Sequence, residues 1–237
     1  MILPCSVQGK ELVIALGNFE PLFSSPDKPA LFKDLIDGVY SYLPDTQVKY
    51  RYMLSNARLV HELNALTVDG AANIFSPNDI KGCLSQPIFE FSDVAISLKS
   101  QQLVINKVDD LRGKSVVSYQ GAKTLLGSDY KAAVESGHYY KEVSQPEEQA
   151  KLLLTGMVDV SIGDKYIFLN SLKNWSKGKH DPNQIIIHTI FPPVATSMGF
   201  NEQAFCDEFD QGLKKFKESG RYREVYKRYL KDLGYDG

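Results

Sequence analysis

Short apolar runs and helical stripes alternate along this chain in an order that appears twice. ELVIALG, Glu11–Gly17, is a run of buried-strand type that ends in glycine. A turn-rich loop, FEPLFSSPDKP, leads to ALFKDLIDGVYSYL, whose Leu31, Leu35, Ile36 and Val39 follow helical spacing. TQVKYRYML alternates and is rich in aromatic and β-branched residues, which predicts a strand. Ser55 is placed to cap the next helix, striped by Leu59, Val60, Leu63 and Leu66. Residues 68–74 read as a third strand, so the first half is βαβαβ, an α/β unit with a largely parallel sheet.

The pattern then restarts. DVAISLKSQQLVINKV reads as two extended segments, and Ser115–Tyr119 as a strand followed by a helix from about Gly121. HYYKEV is a strand, and SQPEEQAKLLLTG a helix with Ser144 and Glu147 as a capping box and Gly156 at its exit. MVDVSIGD closes a second βαβαβ set. Residues 170–184 are polar and predict a loop that carries Trp175 as a packing anchor; IIIHTIF and ATSMGF predict two more strands. Two helices end the chain, striped by Phe205, Phe209, Leu213 and Phe216 and by Tyr222, Val225, Tyr226 and Tyr229. The halves share a local design. A leucine-bearing helix gives way to Val68-Asp69 in one and to Val158-Asp159 in the other. Extended segments at 91–99 and 185–199 predict two hinge strands between two lobes, with a cleft beneath them.

Composition narrows the function classes. With 237 residues, 43% hydrophobic and 24% charged, the chain has the make-up of a globular protein of one large or two modest domains. A net charge of -2 argues against a nucleic-acid binder. No stretch has the length of a membrane-spanning helix. Cys5, Cys83 and Cys206 form no zinc spacing, and an odd count leaves the redox compartment open. Cys5 after Leu-Pro is a poor match to a lipoprotein acylation site, and a plain thiol fits it better. Neither His61, His138, His180 nor His188 lies in a catalytic or metal-binding motif, and no P-loop or GxSxG is present. We therefore expect no cofactor, no metal and no catalytic residue.

Candidate binding residues come from position. In open α/β sheets ligands bind beyond the carboxyl ends of the strands. Asp164 stands there after the strand of the second half; the alternative reading of Gly163-Asp164 is a turn in which the aspartate caps the following helix. Asn73 and Ser76 occupy the matching end in the first half. In SYQGAKT, Gly121 sits at a strand-to-helix junction whose N–H groups favour an anion, or else form an ordinary turn.

The order of these pieces resembles the bacterial family 3 extracellular solute-binding proteins, the polar amino-acid receptors of ABC importers. FEP, ALTVDGAANIFS, LSQPIFEFSDVAISLK, DLRGKSVVSYQG, LLLTGMVDVSIGD and FDQGLKKFKESGRYREVYKRYL carry the resemblance, which extends from about Glu11 to Leu230. It implies a type II periplasmic-binding-protein fold, with residues 1–91 and 194–237 as the first lobe and 92–193 as the second. It also implies a periplasmic protein whose signal is absent from this chain, working as a monomer with an ABC permease. Residue by residue, the family's ligand positions fall on Phe19, Asn56, Asn73 and Ser76. The arginine that grips a ligand carboxylate falls on Lys81, and the hydroxyl pair opening the second-lobe helix on Ala122 and Lys123, beside Gly121 and Thr124. The aspartate for the ligand ammonium falls on Asp164. Lysine at 81 lacks the bidentate fork of arginine, Asn56 removes an aromatic wall, and Lys123 adds a positive charge. Two other readings stay open: a sensor domain reporting to a signalling partner, and a dehydratase-like enzyme with Glu20 or Asp164 as its acid or base.

Overall fold

A computed structural model describes residues 10–177, 179 and 181–235. Cys5 and His180 lie outside the described residues. The chain divides into two compact units, 1–89 with 195–227 and 90–194 with 228–237.

In unit 1, strand β1 (Lys10–Ala15) precedes helix α1 (Leu31–Tyr40), β2 (Thr46–Arg51), α2 (Asn56–Asn64) and β3 (Gly70–Ile74). Short strands β4 (Cys83–Leu84) and β5 (Phe89–Phe91) follow. β1 pairs in parallel with both β2 and β3, as the βαβαβ reading requires. The α2 stripe is buried through Leu59 and Leu63 against Ala15, Ala71 and Ile74, and Ser55 caps the helix by accepting from Arg58 N.

Unit 2 begins with β6 (Asp93–Leu98) and continues through β7 (Val116–Tyr119), α3 (Ala122–Leu125), α4 (Gly127–Glu135) and β8 (Tyr140–Val143). Then come α5 (Pro146–Leu154), β9 (Val160–Asp164), α6 (Lys165–Ser176) and β10 (Ile185–His188). Its sheet runs β10-β6-β9-β7-β8, with β9, β7 and β8 parallel and β6 antiparallel to β9. Ile162, Val160, Val116 and Ala95 pack with Tyr130, Ala133 and Val134 of α4.

The chain returns to unit 1 through β11 (Val194–Phe200), antiparallel to β3 and β4, so that the first sheet runs β2-β1-β3-β11-β4 with β5 beside β11. Helix α7 (Gln203–Glu218) then packs on α1. The approach is close: a Cβ on Gly38 would lie 2.2 Å from the Phe216 ring. Helix α8 (Arg221–Asp232) crosses the boundary between the units. Tyr222 donates to Ile88 O in unit 1, whereas Lys173 of unit 2 donates to Asp232 O. The last ten residues therefore group with unit 2, not with the first lobe to which the sequence reading gave them.

Four local expectations are corrected. Residues 170–176 continue α6 rather than form a loop, because Phe168, Leu169 and Leu172 give the segment a buried stripe despite its polar residues. QQLVINKV runs irregularly between short 3-10 turns at 99–101 and 108–111 in place of a second strand. α5 starts one residue later than the capping box needs, with Gln145 at the cap and no side-chain bond there. The helix after Gly121 is broken, since Gly127 has φ +88. A disulfide that the spacing had not indicated joins Cys83 of β4 to Cys206 of α7, 123 residues apart.

Candidate functional site

The repeated Val-Asp pairs turn out to be clamps. Asp69 Oδ2 accepts from Val13 N at 2.8 Å, and Asp69 N donates to Val13 O at 2.9 Å. Asp159 repeats this on Ser115: its Oδ2 accepts from Ser115 N at 2.8 Å and from the Ser115 hydroxyl at 2.7 Å, and its own N donates to Ser115 O. Each carboxylate ties the entrance of one central strand to its neighbour. The carboxyl ends of the strands are thereby left for other residues.

At that end of unit 1 the groups around β3 are neutral, while Arg51 ends β2 in an ion pair with Glu62. Asn73, buried and at φ +65, donates from Nδ2 to Asn56 Oδ1 at 3.0 Å, and Thr196 Oγ1 donates to Ile74 O. The predicted Asn56 and Asn73 are thus brought together. Ser76 caps a 3-10 turn at 77–79 by accepting from Asn78 N. Phe19 is 48% exposed in the loop after β1. Glu20 pairs with Lys28 at 2.9 Å. Lys81 is exposed, with its backbone N–H on Asn64 Oδ1. An open depression of about 570 Å³ lies nearby, lined by Arg51, Met53, Ser55, Arg58 and Glu62 among others, and it includes none of the predicted side chains. Its two arginines are held by the buried Glu62 at 3.1 and 2.6 Å.

At the same end of unit 2 the groups are acidic. Asp164 is buried and caps α6, with Oδ1 accepting from Tyr166 N at 2.9 Å and Ile167 N at 3.1 Å. The capping reading of Gly163-Asp164 therefore holds for one oxygen. Among the described residues Oδ2 takes only a long contact, 3.4 Å, from Ser92 N. Burial pushes the Asp164 carboxyl up to about 6, against the N–H groups that favour its ion. Directly across the β6–β9 register stands Asp93, half-buried, whose carboxylate accepts from Tyr119 Oη at 2.8 Å. Burial raises its carboxyl as well. Asp93 and Tyr119 were missed in the sequence; a polar residue at the head of the apolar run VAIS was the signal for the first.

The turn after β7 holds the other predicted residues. Gly121 takes φ +88, a left-handed conformation suited to glycine. Its N–H and that of Lys123 both point at the carboxylate of Glu142, at 2.8 and 3.0 Å, and Tyr140 Oη donates to the same group at 2.9 Å. Burial alone would raise the Glu142 carboxyl, but these donors outweigh it and hold it below its usual range. Ala122 is wholly buried in the core. The Lys123 ammonium lies 3.6 Å from Glu135 and 4.8 Å from the centre of the Tyr140 ring. Thr124 is exposed, and its N–H is spent on Gly121 O. Nothing local in HYYKEV marks Glu142 as the partner of this turn.

No family model matches the chain. The L-cystine-binding protein TcyA of Bacillus subtilis (strain 168) is 25% identical over 173 residues, which is 71% of this chain and 60% of that protein. The chain thus matches less than two thirds of that relative's length. Among solved structures, the second substrate binding domain of a putative amino acid ABC transporter from Streptococcus pneumoniae Canada MDR_19A superposes with a TM-score of 0.72. It covers 92% of this chain and 99% of that one at 16% identity. A histidine kinase sensor domain with similarity to periplasmic binding proteins gives 0.64 over 94% and 97% of the two chains, at 13% identity. The chain has the type II periplasmic-binding-protein fold, and these findings agree with the resemblance to family 3 solute-binding proteins. Among the described residues no helix is long and apolar enough to cross a membrane.

Proposed function

We propose that this protein is the solute-binding component of an ABC importer. It captures a small polar ligand, an amino acid or related compound, outside the cytoplasmic membrane and hands it as a monomer to a permease. The observation that carries this reading is the half-committed Asp164. One carboxylate oxygen is spent on the helix cap, and the other remains for a ligand cation at the carboxyl end of a sheet, where ligands of such folds bind. Taken by itself, unit 1 presents the amides of Asn56 and Asn73 and the hydroxyl of Ser76 at the carboxyl end of its own sheet, with Lys81 exposed after it. Phe19 supplies an exposed ring. The Cys83–Cys206 disulfide supports an extracytoplasmic location, since such bonds persist in oxidising compartments.

Calorimetry against amino acids and related small polar compounds tests the reading, with Asp164→Asn beside the parent. Asparagine can still accept the cap bonds but carries no charge. Binding by the parent and at least a tenfold loss in the variant is expected, on the order of removing one charge-assisted contact. Equal binding by both proteins overturns the site. The likeness to a sensor domain supports a second reading, in which the same binding event is reported to a membrane kinase. Co-purification with a permease or with a kinase separates the two.

A further inference from the structure

We propose that Glu142 is a specificity-determining residue that closes the 121–123 turn to a ligand carboxylate, so that the ligand class is organic amines rather than α-amino acids. The inference rests on the binding reading above and concerns the chemistry that unit 2 accepts. The turn is the part of unit 2 that would receive a ligand anion, because left-handed Gly121 turns its own N–H and that of Lys123 toward one point. That point already holds a carboxylate oxygen pair from the protein, with Tyr140 Oη as a third donor. The next N–H groups, of Thr124 and Leu125, are bonded to Gly121 O. A ligand carboxylate would have to displace a three-donor, charge-assisted arrangement.

The charge around the turn points the same way. Asp93 and Asp164 face each other across the β6–β9 register, and among the described residues neither has an ion pair with a lysine or arginine. Lys165, next to Asp164 in the chain, has its ammonium 5.2 Å from the centre of the Tyr166 ring, and Lys123 of the turn has its own on Glu135 and the Tyr140 ring. An ammonium group meets uncompensated carboxylates here, whereas a carboxylate meets Glu142 where its donors would be.

Matched pairs that differ only in the α-carboxylate test the proposal: arginine against agmatine, lysine against cadaverine, and each remaining amino acid against its decarboxylated amine. Calorimetry is run on the parent and on Glu142→Gln. The parent should bind at least one amine roughly tenfold or more tighter than the matching amino acid. Glu142→Gln should shift that ratio by about tenfold toward the amino acid. A parent that binds an amino acid as tightly as its amine overturns the inference and leaves the solute-binding reading standing. So does an unchanged ratio in a Glu142→Gln protein that melts with the parent. A parent that binds no member of any pair overturns both. If Glu142→Gln fails to fold, the parent ratios alone decide.

Discussion

Units 1 and 2 are built alike at one end of their sheets and differently at the other. Asp69 and Asp159 clamp equivalent strand entrances with the same 2.8 Å bond to a backbone N–H. At the carboxyl ends, unit 1 presents Asn56, Asn73 and Ser76, while unit 2 presents Asp93, Asp164 and Glu142. The shared end is what the fold needs. A buried strand entrance must have its N–H groups satisfied, whatever the ligand. The differing ends are free of that demand and can carry specificity. The lesson is that a repeated carboxylate belongs to the architecture and an unrepeated one is the better place to look for function.

The comparison also shows that unit 1 is stapled. Replacing Cys83 and Cys206 by serine removes a link across 123 residues, for which chain entropy predicts up to roughly 5 kcal/mol of lost stability. Amide exchange should then speed up most in β4 and α7, and least in β7, β8 and β9. Equal acceleration in both groups of elements would show that the staple serves the whole chain.

The next effect is confined to unit 2 and depends on pH. The Asp164 carboxyl is raised to about 6 by burial, from an ordinary carboxylate value near 4 in the unfolded chain. Between those values the native state holds a proton that the unfolded state has lost, so stability falls as pH rises from about 4 to about 6. The ionised group costs the native state up to ~3 kcal/mol. Asp93, raised by burial, acts in the same direction, and Tyr119 stays protonated because burial pushes it above its usual range. Asp164→Asn should flatten the slope and melt at or above the parent at pH 8. A slope that survives the substitution would assign it to Asp93 or to Asp210 of unit 1, whose carboxyl burial also raises, and Asp93→Asn would separate the two. The same carboxylate predicts that an amine ligand binds more tightly as pH rises through about 6.

The clamps come next. Asp69→Ala and Asp159→Ala each strip the partner from a backbone N–H, that of Val13 within β1 and that of Ser115 just ahead of β7, a loss of about 1–3 kcal/mol. Denaturant melts should show Asp159→Ala as the worse of the two, since it also frees the Ser115 hydroxyl. Negligible losses would break the parallel drawn between the units, and equal losses would mean that the Ser115 hydroxyl adds nothing to the clamp.

Much of the fold was legible because its periodicities are local. The strand of residues 160–164 and the α2 stripe are set by neighbours within a few residues. The site was legible in part. Asp164 and Asn73 stand at the ends of recognisable strands. Glu142, Asp93 and the disulfide were not legible, because each acts on a partner distant in sequence: Glu142 on a turn about twenty residues earlier, Asp93 on Tyr119, Cys83 on Cys206. The α6 helix hid for another reason. Its polar residues resemble a loop, and only the buried spacing of Phe168, Leu169 and Leu172 reveals the helix.

The smallest effect comes from Lys123, and it sharpens the contrast between the units most. From sequence this lysine promised a positive charge that would repel cationic ligands. The structure turns its ammonium onto Glu135 and the Tyr140 ring, in a pair with both side chains partly exposed. Such pairs contribute at most ~1 kcal/mol. Lys123→Met should therefore lower the melting temperature slightly or not at all. It should also leave the preference between an amine and its amino acid as in the parent, because its N–H still reaches Glu142 whatever the side chain. Calorimetry with agmatine and arginine on both proteins makes the check. A marked gain in agmatine affinity would mean that the ammonium does act on the ligand. The acidic character assigned to unit 2 would then be partly cancelled, and the difference between the two carboxyl ends would shrink accordingly.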